Sequence, residues 1–226
     1  MFTICISTYN RPNYLKRLLR FYESRNKDFK IFIGDSNSLE DHKETKKFIK
    51  KLKNSHNIEI FHNPRKNFMN VIETHKILFK NIKTKYMVIC PDDDVQLPIS
   101  IYKMCKVLES NEELIGINGK GILFDPFKNY FSNYPLLGLE QDNALDRVTT
   151  FFENYFGILY SVFRTEEMRF IFEHLYEKNE TLKAEVHPSC YAAILGKIRN
   201  INEIQLIRPA EEQEKYKLKK LDIDSN

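Results

Sequence analysis

The chain has 226 residues, of which 42% are hydrophobic and 29% charged, as is usual for a globular protein with a sizeable core. Its net charge of +4 is compatible with an anionic substrate but falls short of a nucleic-acid-binding signature. No apolar run approaches the roughly 18 residues of a membrane span. The four cysteines are far apart and form no CxxC pair. We therefore expect a reduced cytoplasmic protein, with a peripheral contact on the inner face of the membrane as the alternative.

Strands and helices alternate over about the first 95 residues, at spacings typical of βαβ units. Strands are predicted at residues 2–6, 30–34 and 58–62 and from Tyr86 onward. The first helix opens at Pro12, the second spans about 40–53, and the third carries Phe68, Val71, Ile72, His75 and Phe79. This order predicts an α/β fold with a mostly parallel central sheet flanked by helices.

The alternation loosens after Val95. The patterns predict helices at 98–110, 142–153 and 183–196, the last interrupted near Pro188, and a helix capped by Thr165 that ends near Tyr176. They predict strands at 114–124, 155–164 and 198–207, with an aromatic loop at 125–139. We expect one domain over 1–226, comprising a regular first half (1–97), a less regular second half (98–210) and a charged tail (211–226).

Polar side chains follow each strand of the first half, and such strand ends meet at one edge of a parallel sheet. The segments are Thr8–Arg11, Asp35–Ser36, Asn63–Asn67 and Asp92–Asp94. In the last of them a buried-strand pattern ends at Pro91, and three consecutive carboxylates follow. Hard oxygen ligands of this kind suit Mg²⁺ or Mn²⁺. An acidic surface turn is the alternative interpretation.

Two common nucleotide-binding motifs are absent. The chain has no GxxxxGK[ST] loop and no GxGxxG motif after a strand. A phosphate group would therefore be held by a metal ion and by side chains, and a cation at the three carboxylates would neutralise a leaving diphosphate.

Three motifs in this order resemble family 2 glycosyltransferases with the GT-A fold, of the bacterial surface-polysaccharide type. The first is Thr8-Tyr9-Asn10-Arg11 with Leu15, Leu18 and Leu19 in the helix that follows. The second is Gly34-Asp35-Ser36-Asn37, and the third is the DXD motif at Asp92-Asp93-Asp94. The resemblance is specific over about residues 2–110, and it implies that 1–97 is a nucleotide-binding half and 98–210 an acceptor-side half. It implies an inverting, metal-dependent transfer of a sugar from a nucleotide donor, UDP-sugar favoured, to a glycan or lipid-linked acceptor.

The resemblance also implies roles for individual residues. Thr8, Asn10, Arg11 and Asn67 would lie beside the nucleotide, and Asp35 would accept a hydrogen bond from the uracil. Asp92 and Asp93 would contact the ribose or a metal-bound water. Asp94 would bind Mn²⁺ or Mg²⁺ directly, with Asp92 as a further metal ligand. The family's arginine–asparagine pair in the third loop's helix is replaced by Phe68-Met69-Asn70 and Lys76.

Inverting members of the family place a carboxylate base roughly 90 residues after the DXD motif. That spacing indicates Glu185, with a helix-surface acid as the alternative interpretation. Asp142 and Asp146 are the other candidates for the base, and His187 could assist or only pack. The chemistry requires a carboxylate within hydrogen-bond reach of the acceptor hydroxyl.

Other features favour structural interpretations. The basic face of the second helix (Lys43, Lys46, Lys47, Lys50, Lys51 and Lys53) is predicted to be solvated, with anionic lipid as the alternative. The aromatic stretch 124–134 is predicted to pack as core and loop, with a sugar platform as the alternative. His75 is predicted to be a core histidine. Two other functions remain open: a sugar-phosphate nucleotidyltransferase, although its glycine-rich signature is missing, and a non-catalytic sugar-nucleotide-binding protein.

Overall fold

The structure is a computed structural model that describes residues 1–25, 28–64, 71–125, 129–175 and 181–210. The predictions for Asn67, Phe68 and the tail at 211–226 fall outside the described residues.

The first half alternates strands and helices as predicted. Its elements are β1 (Phe2–Thr8), α1 (Pro12–Glu23), β2 (Phe29–Asp35), α2 (Leu39–Ile49), β3 (Ile58–His62), α3 (Val71–Asn81) and β4 (Tyr86–Pro91). Helix α1 begins with a proline, whose missing N–H has no intrahelical partner to lose at this position. Its apolar residues recur at i, i+3, i+4 and i+7, so that Leu15, Leu18, Leu19 and Tyr22 are all buried.

The second half is less regular. It contains β5 (Val95–Gln96), α4 (Pro98–Glu109), β6 (Leu114–Asp125), β7 (Tyr130–Tyr134), α5 (Ala144–Asn154), β8 (Val162–Arg164), α6 (Thr165–Glu173), α7 (Thr181–Leu195) and β9 (Lys197–Pro209).

Four predictions for this half are wrong in detail. The stretch predicted as an aromatic loop contains β7, which pairs antiparallel with the end of β6. The strand predicted at 155–164 is only three residues long, because a 3₁₀ turn occupies Ile158–Tyr160. Thr165 does not cap α6, because its hydroxyl donates to the Thr84 carbonyl instead. Helix α7 continues through Pro188 without an interruption.

The described strands form one sheet in the order β3-β2-β1-β4-β8-β6-β9-β5, with β7 paired to β6. Strands β3, β2, β1 and β4 are parallel, as are β6 and β9. The short β8 runs antiparallel between β4 and β6 and joins the two parallel parts. The prediction of a mostly parallel sheet flanked by helices is therefore confirmed.

Two hydrophobic clusters cover the two faces of the sheet. One contains the buried residues of α1 and α4, and the other those of α3, α6 and α7. Successive residues of β1 alternate between the clusters, since Ile4 and Ile6 belong to the first and Cys5 to the second. Burial of each such aliphatic side chain contributes about 1.5–3 kcal/mol. Because both faces are covered, the open part of the sheet is its edges, where the strands end.

Two arginine side chains cap the C-terminal ends of helices within the fold. Arg147 is buried, and its guanidinium donates to the carbonyls of Ala193 and Ile194 in the last turn of α7. It also donates to the carbonyls of Gln141 and Asp142. Arg164 does the same for the Leu108 carbonyl in α4. These bonds satisfy C-terminal carbonyls that have no intrahelical partner.

Among the described helices, none combines the length and the apolar character needed to cross a membrane.

Candidate active site

The parallel strands β1, β2 and β4 bring the predicted polar segments to one edge. Their register pairs Thr8 with Asp35 and Ser7 with Pro91, so the residues after these strands are neighbours. We call this the carboxyl edge. It contains Thr8, Arg11, Asp35 and Asp92–Asp94, as the sequence predicted.

Thr8 and Arg11 hold the first two carboxylates of the triplet. The Thr8 hydroxyl donates to Asp92 Oδ2 over 2.6 Å. The Arg11 guanidinium donates to Asp93 Oδ2 over 2.7 Å and lies 3.4 Å from Asp92 Oδ1. Burial raises the pKa of Asp92 to about 6, although the Thr8 hydrogen bond opposes the rise. Both oxygens of Asp92 therefore already have protein partners.

Asp94 is surrounded by residues that are distant in sequence. Its side chain is 2% exposed, and Arg208 Nε at the end of β9 lies 3.3 Å from Asp94 Oδ1. The Arg208 guanidinium also donates to the Tyr134 hydroxyl over 2.8 Å and covers the ring faces of Tyr134 and Tyr160. Burial raises the pKa of Asp94 to about 7, while Arg208 and a hydrogen bond from Tyr160 oppose the rise.

A buried amide network fixes the backbone of Tyr160. Gln96 and Gln205 are both fully buried, and Gln205 Nε2 donates to Gln96 Oε1 over 3.0 Å. Both side-chain amides donate to the Tyr160 carbonyl. Because these groups have no access to water, the network has a single low-energy arrangement. It holds the Tyr160 hydroxyl beside Asp94.

Asp35 is completely buried at the end of β2. Its Oδ2 lies 2.8 Å from His42 Nδ1, and its Oδ1 accepts from the Asn37 backbone N–H over 3.0 Å. The His42 ring stacks on His62 with the centroids 4.0 Å apart. Asn10 is exposed, and its N–H donates to the Asn37 side chain. The hydrogen bonds of Asp35 and Asn10 therefore stabilise the conformation of the loop that follows β2.

A cavity of about 280 Å³ opens beside these groups, between the carboxyl edge and α3. It is lined on one side by Thr8, Arg11, Asp92 and Asp93, and on the other by Ser36, Thr74 and His75. Its volume is close to the lower end of the range for small-molecule sites, about 300–1,000 Å³. The buried His75 ring stacks on Phe79 and meets Phe172 edge-on, as predicted for a core histidine, but it also lines this cavity.

The structure places Glu185 at the same edge as the triplet. Arg147 near the start of α5 donates to the Ala193 carbonyl near the end of α7. Burial raises the pKa of Tyr155, which follows the end of α5, and Glu185 near the start of α7 adds to the rise, so the two helices pack antiparallel. The start of α7, with Glu185, therefore lies beside the end of α5. Burial raises the pKa of Tyr134, and both Glu185 and Asp94 add to the rise, so the two carboxylates lie near the same hydroxyl.

The rival acids lie elsewhere. Asp142 is 95% exposed and pairs with Lys197 over 2.6 Å at the start of β9, which is the opposite edge of the sheet. Asp146 is in the first turn of α5, at that same far end. The structure therefore removes both as candidates for a base at the triplet. His187 is exposed on α7, two residues from Glu185.

The carboxylate oxygens of Asp94 are suitable ligands for a hard divalent cation. Asp94 Oδ2 is buried and makes no hydrogen bond to any described residue. In the described ranges no three His, Cys, Asp or Glu side chains converge as a complete metal site. Mg²⁺ usually takes only one or two protein carboxylates and completes its shell with phosphate oxygens and water. Asp94 fits this pattern better than Asp92.

Sequence reasoning missed Tyr134 and Tyr160 and assigned no role to Arg208. The three converge only because β7, β8 and β9 end or turn at one place. Tyr134 was part of the stretch predicted to be a loop. The only local signal was the position of Arg208 at the end of the last predicted strand.

The family model described as glycosyl transferase family 2 matches residues 3–170. No curated protein sequence matches the chain. Among solved structures, S. aureus TarS 1-349 superposes with a TM-score of 0.66 at 14% identity, over 93% of this chain and 61% of that one. Its complex with UDP gives 0.66 at 15% identity over 92% and 60%, and its complex with UDP-GlcNAc gives 0.66 at 15% over 92% and 58%.

The chain thus spans about three fifths of these TarS structures. At this identity the likeness shows the fold, which is GT-A. The family model covers more than half of the chain and includes the three motifs at the carboxyl edge. The chain therefore belongs to glycosyl transferase family 2.

Proposed function

We propose that the chain transfers a sugar from a nucleoside-diphosphate donor, UDP-sugar favoured, to a hydroxyl of a glycan or lipid-linked acceptor. The observation that carries the proposal is the buried Asp94 oxygen with no partner among the described residues, at the same edge as the cavity lined by Thr8, Arg11 and Asp92. The TarS structures with UDP and UDP-GlcNAc support a uridine nucleotide. A role in surface-polysaccharide synthesis rests on the motif resemblance alone.

Two guanidinium groups beside the Asp92–Asp94 triplet would counter the charge of a diphosphate. Arg11 lines it with a guanidinium whose charge is shared between Asp92 and Asp93. Arg208 lies at Asp94. We assign the metal to Asp94, with Asp92 as a ligand only after it gives up a present partner. A bound divalent cation would supply charge stabilisation for the leaving diphosphate.

Glu185 is the base in this proposal. The acceptor oxygen attacks the anomeric carbon from the face opposite the diphosphate, and its proton passes to the Glu185 carboxylate. The bond between the anomeric carbon and the diphosphate oxygen breaks, and the nucleoside diphosphate leaves with that electron pair. The anomeric configuration is therefore inverted. The exposed position of Glu185 on α7 lets an acceptor reach it from solvent.

Release of nucleoside diphosphate from UDP-sugars tests the proposal. We expect Asp94→Ala to abolish release, and Glu185→Gln to lower transfer about 100-fold or more while UDP still binds, because a general base contributes about 10²–10⁴-fold. The matched control is Glu173→Gln, an exposed acid at the end of α6. Normal turnover of Asp94→Ala would contradict the metal assignment, and normal turnover of Glu185→Gln would contradict the base.

A further inference from the structure

Tyr155 has an unusual backbone for a bulky residue. It follows the last residue of α5 with φ 29° and ψ 97°, a region that favours glycine. Among the described residues the other non-glycine positions with positive φ are Asn10 and Asn129. Asparagine tolerates such angles far better than a tyrosine does. Strain of this kind concentrates at functional sites.

The ring of Tyr155 packs against the core on one side and is exposed to solvent on the other. It packs against the buried Phe151 ring with the centroids 5.6 Å apart, yet 51% of the residue is exposed. Phe152 also packs on Phe151, at 5.3 Å, and is 55% exposed. Two aromatic side chains at the end of α5 are therefore held by the core and remain accessible to solvent.

Tyr155 lies beside the candidate base and close to the residues around Asp94. The end of α5 lies next to the start of α7, where Glu185 is, because the two helices pack antiparallel through Arg147. Burial raises the pKa of Tyr155, and the Glu185 carboxylate adds to the rise. Two residues later, a Cβ on Gly157 would come within 2.6 Å of the Tyr160 ring and 3.1 Å of the Tyr134 hydroxyl. The 155–157 segment thus lies against the two tyrosines that surround Arg208.

An accessible aromatic face next to a carboxylate base suits one kind of acceptor. A pyranose ring has an apolar C–H face that stacks on an aromatic ring, while its hydroxyl groups point to the sides. We propose that Tyr155, with Phe152 beside it, is the platform for a pyranose ring of the acceptor and brings one of its hydroxyls to Glu185. This inference rests on the proposed function, because it takes Glu185 as the base.

Three variants separate a binding platform from a packing residue. Tyr155→Phe keeps the flat ring. Tyr155→Leu keeps apolar volume against Phe151 without the ring face, and Tyr155→Gly removes the ring but suits the backbone angles. Relief of the backbone strain in Tyr155→Gly offsets part of the packing lost against Phe151, so we expect all three variants to remain folded in thermal melting.

Saturation-transfer NMR on the full chain measures the binding of probe sugars. The probes are methyl β-D-glucopyranoside, methyl β-D-galactopyranoside and methyl N-acetyl-β-D-glucosaminide, with glycerol 3-phosphate as an acyclic anion. We expect the wild type and Tyr155→Phe to bind at least one pyranoside. Binding should weaken about five- to tenfold in Tyr155→Leu and Tyr155→Gly.

The outcomes also distinguish this inference from the function on which it rests. Equal pyranoside binding by Tyr155→Phe and Tyr155→Gly overturns the platform, as does binding of glycerol 3-phosphate without any pyranoside. UDP stabilisation with Mg²⁺, measured on the same variants, should be unchanged by all three. A wild type that does not bind UDP contradicts the proposed function. If that wild type still binds a pyranoside in a way that depends on Tyr155, the platform is supported although the proposed function is not.

Discussion

Asp94 is expected to destabilise the metal-free protein at neutral pH. Burial raises its pKa from 3.8 to about 7, a displacement of about three pH units. At about 1.4 kcal/mol for each unit, ionising this carboxylate in the fold costs about 4 kcal/mol. Asp94→Asn removes that cost, and the attraction of Arg208 at 3.3 Å is already included in the pKa of about 7. We expect a gain of about 4 kcal/mol, which raises the melting temperature by about 8–16 °C in a chain of this size.

The gain should depend on pH in a defined direction. Below pH 3.8 the carboxyl is neutral in both states, so Asp94→Asn and the wild type should unfold alike. Between pH 3.8 and about 7 the unfolded chain loses the proton first, so the folded state binds more protons and the wild type loses stability as the pH rises. Above pH 7 the difference should be constant. Thermal unfolding of both proteins in EDTA, from pH 3 to pH 8, measures the difference in melting temperature.

A wild type that is as stable as Asp94→Asn at pH 8 in EDTA would refute this reasoning. The matched control is Asp142→Asn. Its carboxyl has a pKa lowered by the hydrogen bond from Lys197, so the control should give no rise in melting temperature at any pH.

Three further outcomes are expected. Arg147→Met should lower stability by about 3 kcal/mol in thermal unfolding, because four backbone carbonyls lose a buried donor; unchanged UDP binding would confirm that the loss is structural. Gly119→Ala should destabilise by about 2 kcal/mol or more in urea titrations, since its Cβ would come within 2.2 Å of the Glu203 carbonyl oxygen. Tyr160→Phe should weaken Mg²⁺-dependent UDP binding at pH 7, because loss of the hydrogen bond from Tyr160 lets the pKa of Asp94 rise further. A titration with Mg²⁺, followed by the thermal stabilisation that UDP gives, measures this effect. An unchanged midpoint would show that the hydroxyl has no such role.

The sequence predicted the nucleotide-binding half well because each signal there is local. Strand β3 has the predicted bounds, and β1, β2 and β4 end where polar residues interrupt an apolar run. Parallel topology then places Thr8, Asp35 and Asp92 at one edge without any knowledge of side-chain contacts. The residue-level contacts were not predictable: the pairing of Asp35 with His42 depends on how α2 packs after the loop.

The acceptor-side half depended on long-range pairing. The predicted strand at 155–164 has the right composition, but β8 is limited by its partners to Val162–Arg164. Strand β7 was missed because its aromatic residues also suit a loop. The segment becomes a strand because it pairs with β6, and that pairing is not visible in the local sequence. For the same reason the meeting of Tyr134, Tyr160 and Arg208 at Asp94 has no signature in the sequence.

The most direct measurement is a thermal-shift titration of UDP, GDP, CDP and dTDP with Mg²⁺, Mn²⁺ or EDTA, on the wild type and Asp94→Asn. A ligand that binds only the folded state adds about 2.7 kcal/mol to the free energy of unfolding at 100 times its Kd, and so raises the melting temperature. We expect UDP with a divalent cation to stabilise the wild type, EDTA to remove the effect, and Asp94→Asn to show no ligand-induced shift. Stabilisation by UDP that persists in EDTA and in Asp94→Asn would contradict the metal site at Asp94, and no stabilisation by any diphosphate would contradict the proposed donor site.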